Sequence, residues 1–441
     1  MTIAPHSRLL SVAAAWTAGT LLVVLWPVLW TVSVGTLAIG VALAIWDHAL
    51  LRRGIRVDIM RHLPERAFVG RDATVAVEVS NSGAEAVQVE VVDEVPRDLR
   101  SEDPVLAAVT VTPDTPALLR YPVKPTRRGD RLFGLPVALV RSPFGFWQGT
   151  VVGRRGDVLR VYPDATIFLR PRALDPRRVF ASIGIRPSRR RGEGMEFESL
   201  RDYVLGDDPR RVDWAASARR GRPVTRVLQH ERNHTVLLAL DTSRLMGSQV
   251  EQRAKLDYAV EAVVALAYAA LVSGDRVGLV VFDYKVRGHV APRAHRSALG
   301  AFVEILRPLE ARLVEADYGA LVRDLHVRQR HRSLVIVLTD FVEADAATVV
   351  APLTVLGRRH RLLLVTVRDA LYRTLDPGVS EGAADPDSLY RRLVLHDLLT
   401  EREGVLATLR RGGVQTVDLA PERITAVVLN RYLAIRYGPE R

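Results

Sequence analysis

Cysteine is absent from the 441 residues. That excludes disulfides, thiolate metal sites and cysteine nucleophiles, and it fits a cytoplasmic domain. A G-x-x-x-x-G-K-[ST] phosphate loop and a G-x-S-x-G nucleophile elbow are also missing, so two large enzyme classes lose their usual signatures. Charge is missing from one long stretch: Leu9 to Trp46 holds no Asp, Glu, Lys or Arg. A single helix of that length would be about 57 Å long, against a hydrocarbon core of about 30 Å. Two spans of roughly 18 residues, turning near Trp26-Pro27, fit better. A secretory signal has a shorter apolar region of about 7–15 residues. Arg8 precedes the first span, Arg52, Arg53 and Arg56 follow the second, and the tip is uncharged. The positive-inside rule then puts both termini and all of the soluble chain in the cytoplasm. A buried helical hairpin in a soluble protein is the competing reading.

What the chain has in plenty is arginine, which supplies most of a formal charge of +12. Nucleic acid is not the expected partner, because the basic residues form no known binding module. An arginine-favouring genome or an anionic lipid surface explains them as well. From Ile55 to about Tyr162 the apolar period is two: Val75, Val77 and Val79 alternate with Thr74, Ala76 and Glu78, and Val87, Val89 and Val91 follow the turn Asn81-Ser82-Gly83. Further short strands fit Val109–Thr112, Ala117–Val123 and Pro136–Val140. Turns at Arg127–Asp130 and Ser142–Gly145 separate them. This spacing predicts a β-sandwich-like domain without a catalytic constellation. Residues 165–191, rich in Arg and Pro, read as a linker.

After His230, Thr235–Asp241, Arg276–Asp283, Ser333–Asp340 and Arg361–Asp369 are largely apolar runs that end in aspartate. Such runs suit parallel strands covered on both faces. Helical periodicity fits Val250–Ser273, Arg293–Leu306, Ala320–Arg330, Ala344–Arg359 and Leu389–Arg411. Val414–Leu419 reads as a last strand and Pro421–Tyr437 as a closing helix packed on the sheet through Tyr432, Leu433 and Ile435. Glu381–Asp387 reads as a loop. The expected class is an α/β doubly wound sheet, with any site at the carboxyl ends of its strands. The expected divisions are a transmembrane hairpin (1–54), a sandwich (55–165), a linker with a charged signature (166–232) and the α/β domain (233–441). Because the two domains carry their own core patterns, the chain without residues up to about Arg53 is expected to fold alone.

The stretch Gly192 to Arg222 is dense in charge yet carries Phe197, Tyr203 and Trp214. Asp208-Pro209 has the form of a helix start, Val212, Ala215, Ala216 and Ala218 give a narrow apolar face, and Gly221 suits a stop. The run resembles the signature of domain-of-unknown-function family 58 (DUF 58), roughly G-x-E-F-x-x-L-R-x-Y-x-x-G-D-D-x-R-x-I-x-W-x-x-S-A-R. Glu196, Phe197, Leu200, Arg201, Tyr203, Gly206, Asp207, Asp208, Arg210, Trp214, Ser217, Ala218 and Arg219 fill it, with Val212 for isoleucine. Two readings of these Arg and Asp residues stand: a partly buried charge network, in which losing one partner would cost roughly 3–5 kcal/mol, or a partner-docking surface.

The α/β segment resembles a von Willebrand factor A domain. That resemblance implies a metal-ion-dependent adhesion site holding Mg²⁺ through D-x-S-x-S, a threonine loop and an aspartate after the fourth strand. Asp241, Ser243 and Asp340 fit. Leu245 replaces the second serine, and Asp317 stands at the threonine loop, so the site reads as degenerate, with weak or absent Mg²⁺ binding. The resemblance further implies an adaptor working with a MoxR-type AAA+ ATPase and a protein client at the membrane. The alternative is a metal-dependent hydrolase using Asp207, Asp208 and Asp213 with Arg201 or Arg210.

Overall fold

The computed structural model describes residues 2–25, 30–54, 56–83, 86–100, 105–113, 115–153, 156–164, 195–204, 207, 209, 212–230, 234–250, 253–295, 297–341, 346–369, 372 and 386–437. It divides into two compact units, Met1–Tyr162 and Pro163–Arg441. The expected linker over 165–191 lies outside the described residues.

In the first unit, strand β1 (Thr2–Pro5) leads into helices α1 (Ser7–Leu25) and α2 (Trp30–Gly54). The segment Trp30–Arg52 is long and apolar enough to cross a membrane, with a mean hydropathy of 1.7. Only 11% of it is buried within the protein, which disfavours a soluble-core helix, whose apolar face would be covered. Trp16 Nε1 of α1 donates to the Ser33 carbonyl of α2 at 3.3 Å.

Eleven strands follow. They are β2 (Val57–His62), β3 (Ala67–Phe68), β4 (Ala73–Asn81), β5 (Val87–Val92), β6 (Leu99–Arg100), β7 (Val105–Val111), β8 (Ala117–Pro125), β9 (Gly129–Leu132), β10 (Val137–Arg141), β11 (Trp147–Val152) and β12 (Val158–Tyr162). The main sheets run β1-β11-β10-β5-β7 and β2-β4-β8-β6. The period-two valines are why they face each other. Val75, Val77, Val79, Val89 and Val91 are fully buried in one core, while their sequence neighbours face outward. Burying a valine contributes roughly 1.5–3 kcal/mol, so a one-residue slip of β4, which would turn all three of its valines outward, is strongly disfavoured. The same core holds a charge the periodicity does not reveal. Arg61 Nε donates to Asp93 at 3.0 Å, Arg61 Nη2 to the Gly134 carbonyl at 2.8 Å, and Tyr121 OH to Asp93 at 2.5 Å.

The helices are not an appendage to this sheet. β1 pairs antiparallel with β11, Thr2 opposite Thr150 and Pro5 opposite Trp147. Asp47 of α2 is fully buried. It accepts hydrogen bonds from Ser142 Oγ (2.6 Å), Phe144 N (3.1 Å) and Phe146 N (3.1 Å). Trp147 Nε1 donates to the Ala44 carbonyl at 2.8 Å. Gly145, with φ +73°, makes the tight turn that brings these amides round one carboxylate. Truncation near Arg53 would therefore remove a strand and an anchor along with the helices.

The second unit opens with an antiparallel pair, β13 (Met195–Asp202) and β14 (Val224–His230), with helix α3 (Trp214–Arg220) between them. Six strands then form one sheet: β15 (Thr235–Asp241), β18 (Arg276–Phe282), β19 (Val286–Arg293), β20 (Leu334–Thr339), β21 (Arg361–Val367) and β22 (Gln415–Leu419). A two-stranded ribbon, β16 (Gln249–Val250) and β17 (Arg253–Ala254), follows β15. The sheet order is β19-β18-β15-β20-β21-β22. All pairs are parallel except the edge pair β18–β19. The helices are α4 (Lys255–Val272), α5 (Ser297–Leu306), α6 (Tyr318–Arg328), α7 (Ala346–Arg359), α8 (Pro386–Arg411) and α9 (Ile424–Tyr437).

The strands are apolar at almost every position because both faces are covered. Leu237, Ala239, Val335, Val337, Leu362 and Leu364 pack with Leu321 and Leu325 of α6, Leu353 and Leu356 of α7, and Leu406 and Leu409 of α8. Leu238, Leu240, Ile336 and Leu338 face the other way, where α4 lies, its apolar residues almost wholly buried. The closing helix α9 packs on α4, with Tyr432 OH donating to Asp275, just ahead of β18, at 2.5 Å. The predicted loop at Glu381–Asp387 falls outside the described residues up to 385; from Pro386 the chain is helical.

Candidate functional site

Strand order reverses at β15, whose neighbours are β18 on one side and β20 on the other. Binding crevices in such sheets form at that reversal, beyond the carboxyl ends. Asp241 ends β15 and Asp340 follows β20, and the register Leu240 opposite Leu338 brings the two ends side by side. Asp241, Thr242, Ser243, Thr339 and Asp340 are all buried.

Asp241 is locked by local geometry. Its Oδ1 accepts from Ser243 N at 2.7 Å and its Oδ2 from Thr339 Oγ1 at 2.5 Å. Tyr318 OH is 2.8 Å from the same threonine hydroxyl. Burial pushes the Asp241 carboxyl up to about 6, against the pull of the Thr339 and Ser243 hydrogen bonds. Asp340 is held differently. Oδ2 accepts from Lys255 Nζ at 2.7 Å, and Oδ1 accepts from Arg402 Nη1 at 2.7 Å and Phe341 N at 2.9 Å. Lys255 Nζ also sits 2.9 Å from Asp369 Oδ2. Arg402 Nη2 donates to Asp418 Oδ1 at 2.9 Å, and Arg368 Nε to Asp418 Oδ2 at 3.0 Å. Although burial pushes Asp418 up, Arg402, Thr366 and Arg368 together hold its carboxyl below the usual range.

This set does not fit a divalent ion beside Asp340. Mg²⁺ needs free oxygen ligands in octahedral array, yet every carboxylate oxygen of Asp241 and Asp340 already accepts a hydrogen bond. A divalent ion about 4 Å from the Lys255 ammonium would meet a repulsion on the order of 8 kcal/mol at an effective dielectric of about 20, whereas the Arg402 charge is offset by Asp418 as well as by Asp340. Asp317, the fourth expected ligand, is spent elsewhere. Its Oδ1 caps α6 by accepting from Ala320 N at 2.9 Å, and its Oδ2 accepts from Arg323 at 3.0 Å. Among the described residues, no group of three or more His, Asp or Glu side chains has metal-binding geometry. Leu245 lies in a short 3-10 turn, Arg244–Gly247.

The charged signature is a surface hairpin. Arg201 Nη2 donates to Asp207 Oδ1 at 2.6 Å, Val204 N to Asp207 Oδ2 at 3.1 Å and Tyr203 OH to the Asp207 carbonyl at 3.2 Å. The Val204 amide, then Arg201, lowers the Asp207 carboxyl. Arg222 pairs with Asp202 at 2.9 Å. The helix starts at Trp214, capped by Asp213, whose Oδ1 accepts from Ala216 N at 3.0 Å. This corrects the expected start at Asp208-Pro209, because Val212 instead bridges Thr225 of β14. Gly221 ends the helix at φ +65°, as expected. Ser217 ties the helix to β14: its Oγ donates to the Asp213 carbonyl at 2.7 Å and accepts from Val224 N at 2.9 Å. Arg219 Nε reaches only the Ala215 carbonyl, at 3.3 Å. Asp208 and Arg210 lie outside the described residues. Trp214 is 72% exposed, and the Arg201 side chain 47%. Of the network expected here, the Arg201–Asp207 pair is half-buried, with Asp207 20% exposed, and Ser217 and Thr225 beside it are buried.

Sequence reasoning missed Lys255, Arg402 and Asp418 altogether. A buried-charge signal existed only for Lys255, which opens a largely apolar helix whose other charges are Asp257 and Glu261. A second string passes easily unnoticed: His230-Glu231-Arg232-Asn233-His234 spells H-E-x-x-H. The zinc motif needs both histidines on one helical face. Here His230 ends strand β14 and His234 immediately precedes strand β15, and residues 231–233 lie outside the described residues.

Residues 199–388 match the family model described as "Protein of unknown function DUF58". An uncharacterized protein of Mycobacterium tuberculosis is 25% identical over 262 residues, which is 56% of this chain and 80% of the relative. A Mycobacterium bovis protein matches to the same extent. Among solved structures, BatB, a conserved hypothetical protein from Bacteroides thetaiotaomicron, covers 46% of this chain and 98% of its own, at 16% identity and a TM-score of 0.33. A cohesin module from a Clostridium perfringens family 33 glycoside hydrolase covers 25% of this chain and 99% of its own, at 13% identity and a TM-score of 0.21. Neither structural likeness is close enough to carry an argument. The matched segment runs from the β13–β14 hairpin to the start of α8 and takes in every strand of the larger sheet except β22.

Proposed function

We propose that this chain is a membrane-anchored interaction protein. Its α1–α2 pair crosses the bilayer as a hairpin, and its von Willebrand A-like domain stands in the cytoplasm as an adaptor for a MoxR-type AAA+ ATPase and a client protein. The observation that carries the anchoring is the pairing of β1 with β11. The chain leaves one sheet of the sandwich before α1 and enters the other sheet, at β2, after α2, so the segments flanking the two helices share a compartment. A two-span hairpin satisfies that and a single span does not. The basic flanks Arg8, Arg52, Arg53 and Arg56 give the orientation. The partner class rests on the resemblance of the signature, and the exposure of Trp214 and Arg201 suits a docking role for it better than a structural one.

The hydrolase alternative is less well supported. Asp207 is paired with Arg201 and Asp213 is spent on a helix cap. Crosslinking and pull-down from native membranes, with and without ATP, tests the adaptor reading. The expected result is a nucleotide-dependent catch of an AAA+ ATPase that Trp214→Ala weakens. A catch without any ATPase in either condition would refute it. A reporter active only outside the cytoplasm, fused to the carboxy terminus, should be silent.

A further inference from the structure

A carboxylate at the end of a buried strand must be compensated, and Asp340 is compensated twice. Lys255 and Arg402 each approach it at 2.7 Å, and all three side chains are only 1% exposed. Lys255 comes from the first turn of α4 and Arg402 from α8, so the cations arrive from helices on opposite faces of the sheet. Each then reaches a second carboxylate: Lys255 holds Asp369 beyond β21, and Arg402 holds Asp418 on β22. Two side chains thus tie the ends of β20, β21 and β22 together. Where acidic groups from several strand ends converge, a metal ion commonly does this work, cancelling charge while fixing the loops.

The choice of lysine is informative. The sequence has only three lysines, Lys124, Lys255 and Lys285, among 62 basic residues. A chain so biased to arginine places one of its three at a buried position, 1% exposed. An ammonium is a compact point charge with three donors and no fixed plane. It can sit between two carboxylates as a small cation does, with no plane to align, whereas Arg402 spans Asp340 and Asp418 with separate nitrogens of its fork.

We propose that Lys255 and Arg402 are resident surrogates for a divalent cation. The carboxyl edge of the sheet is closed by the protein's own charge, and it takes Mg²⁺ or Mn²⁺ only when Lys255 is removed. Contacts made by this end of the domain are then indifferent to chelators. That goes beyond the loss of a ligand at Leu245: the ion's place has been filled, not merely weakened.

The test uses the full chain in detergent micelles, with Mn²⁺ followed by electron paramagnetic resonance and melting followed in Mg²⁺, Mn²⁺ or EDTA. The parent should leave Mn²⁺ free and melt at the same temperature in all three. Lys255→Met should melt lower in EDTA, bind Mn²⁺ stoichiometrically and regain part of its lost melting temperature. Adding Asp241→Asn should abolish that binding, and Lys255→Arg should stay indifferent to metal. Mn²⁺ bound by the parent and lost in Asp340→Asn would overturn the proposal. So would a folded Lys255→Met that binds none. If Lys255→Met does not fold in EDTA, Lys255→Ala leaves more room for a hydrated ion. Failure of both to fold with Mn²⁺ present also refutes it, because an ion that fits the place would restore them.

Discussion

Asp47 is the sharpest place to test how the helices hold the sandwich. Asp47→Ala removes an acceptor that serves Ser142 Oγ, Phe144 N and Phe146 N. Ser142 keeps one contact, since its Oγ also accepts from Trp147 N at 3.0 Å. The two amides keep none from this carboxylate. Each donor left unsatisfied costs roughly 1–3 kcal/mol when buried. Both amides are part-buried, so the lower half of that range applies, and a loss of about 3 kcal/mol in the local opening of residues 142–147 is expected. At 1.4 kcal/mol per tenfold, hydrogen exchange of the Phe144 and Phe146 amides should rise by about a hundredfold. The valine core lies elsewhere, so amides of β4 and β8 should exchange as in the parent. Asp47→Asn, which keeps one acceptor oxygen, should fall between. The assay is exchange on the full chain in micelles, read by fragment mass. Unchanged exchange at 142–147 in Asp47→Ala would refute the anchor; an equal rise throughout the sandwich would mean that the effect is global rather than local.

Three further outcomes follow from geometry already described. A chain starting at residue 54 should melt lower and self-associate more than one retaining β1, because the edge of β11 is left open; scanning calorimetry and size-exclusion chromatography check this. Arg201→Ala should change stability by less than about 1 kcal/mol, the usual scale of an exposed ion pair, and Trp214→Ala should be similarly mild; a loss of several kcal/mol in urea titrations would restore a buried signature. His360 is fully buried, with no hydrogen-bond partner for either ring nitrogen among the described residues, and burial, then Arg359, pulls its pKa down. The unfolded chain therefore binds a proton more readily than the native one, so this histidine's contribution is intact above about pH 6.5 and fades as pH falls below that. His360→Leu should flatten stability against pH in that window, which melting between pH 5 and 8 would read.

The buried strands were legible because an apolar run that ends in aspartate needs only local information. Thr235–Asp241 matches its strand end for end, and the β4 valines alternate as their burial does. The failures have a common cause. β1 is four residues long and without a pattern, and β19, VRGHVAPR, is a half-exposed edge strand that carries a proline. Their only specification is the neighbour they pair with. At the candidate site, Asp241 and Asp340 could be found because topology brings strand ends together. Lys255 and Arg402 lie 85 and 62 residues from Asp340, and helical periodicity says which face is apolar, not which charge it will meet. Trp214 misled for the opposite reason: an aromatic among charges suggests burial, and its side chain faces water.

The pairing of β1 with β11 also orders events in time. Thr2–Pro5 are made some 145 residues before their partner Trp147–Thr150. At 5–20 residues per second that interval is on the order of ten seconds. Both helices emerge within it, while β1 still has nothing to pair with. The strand that precedes the helices is thus among the last to find its place, and the edge of β11 is sealed only when the two meet. A mutation that delays that meeting would leave β11 waiting with an open edge, the form in which a sheet recruits the wrong strand.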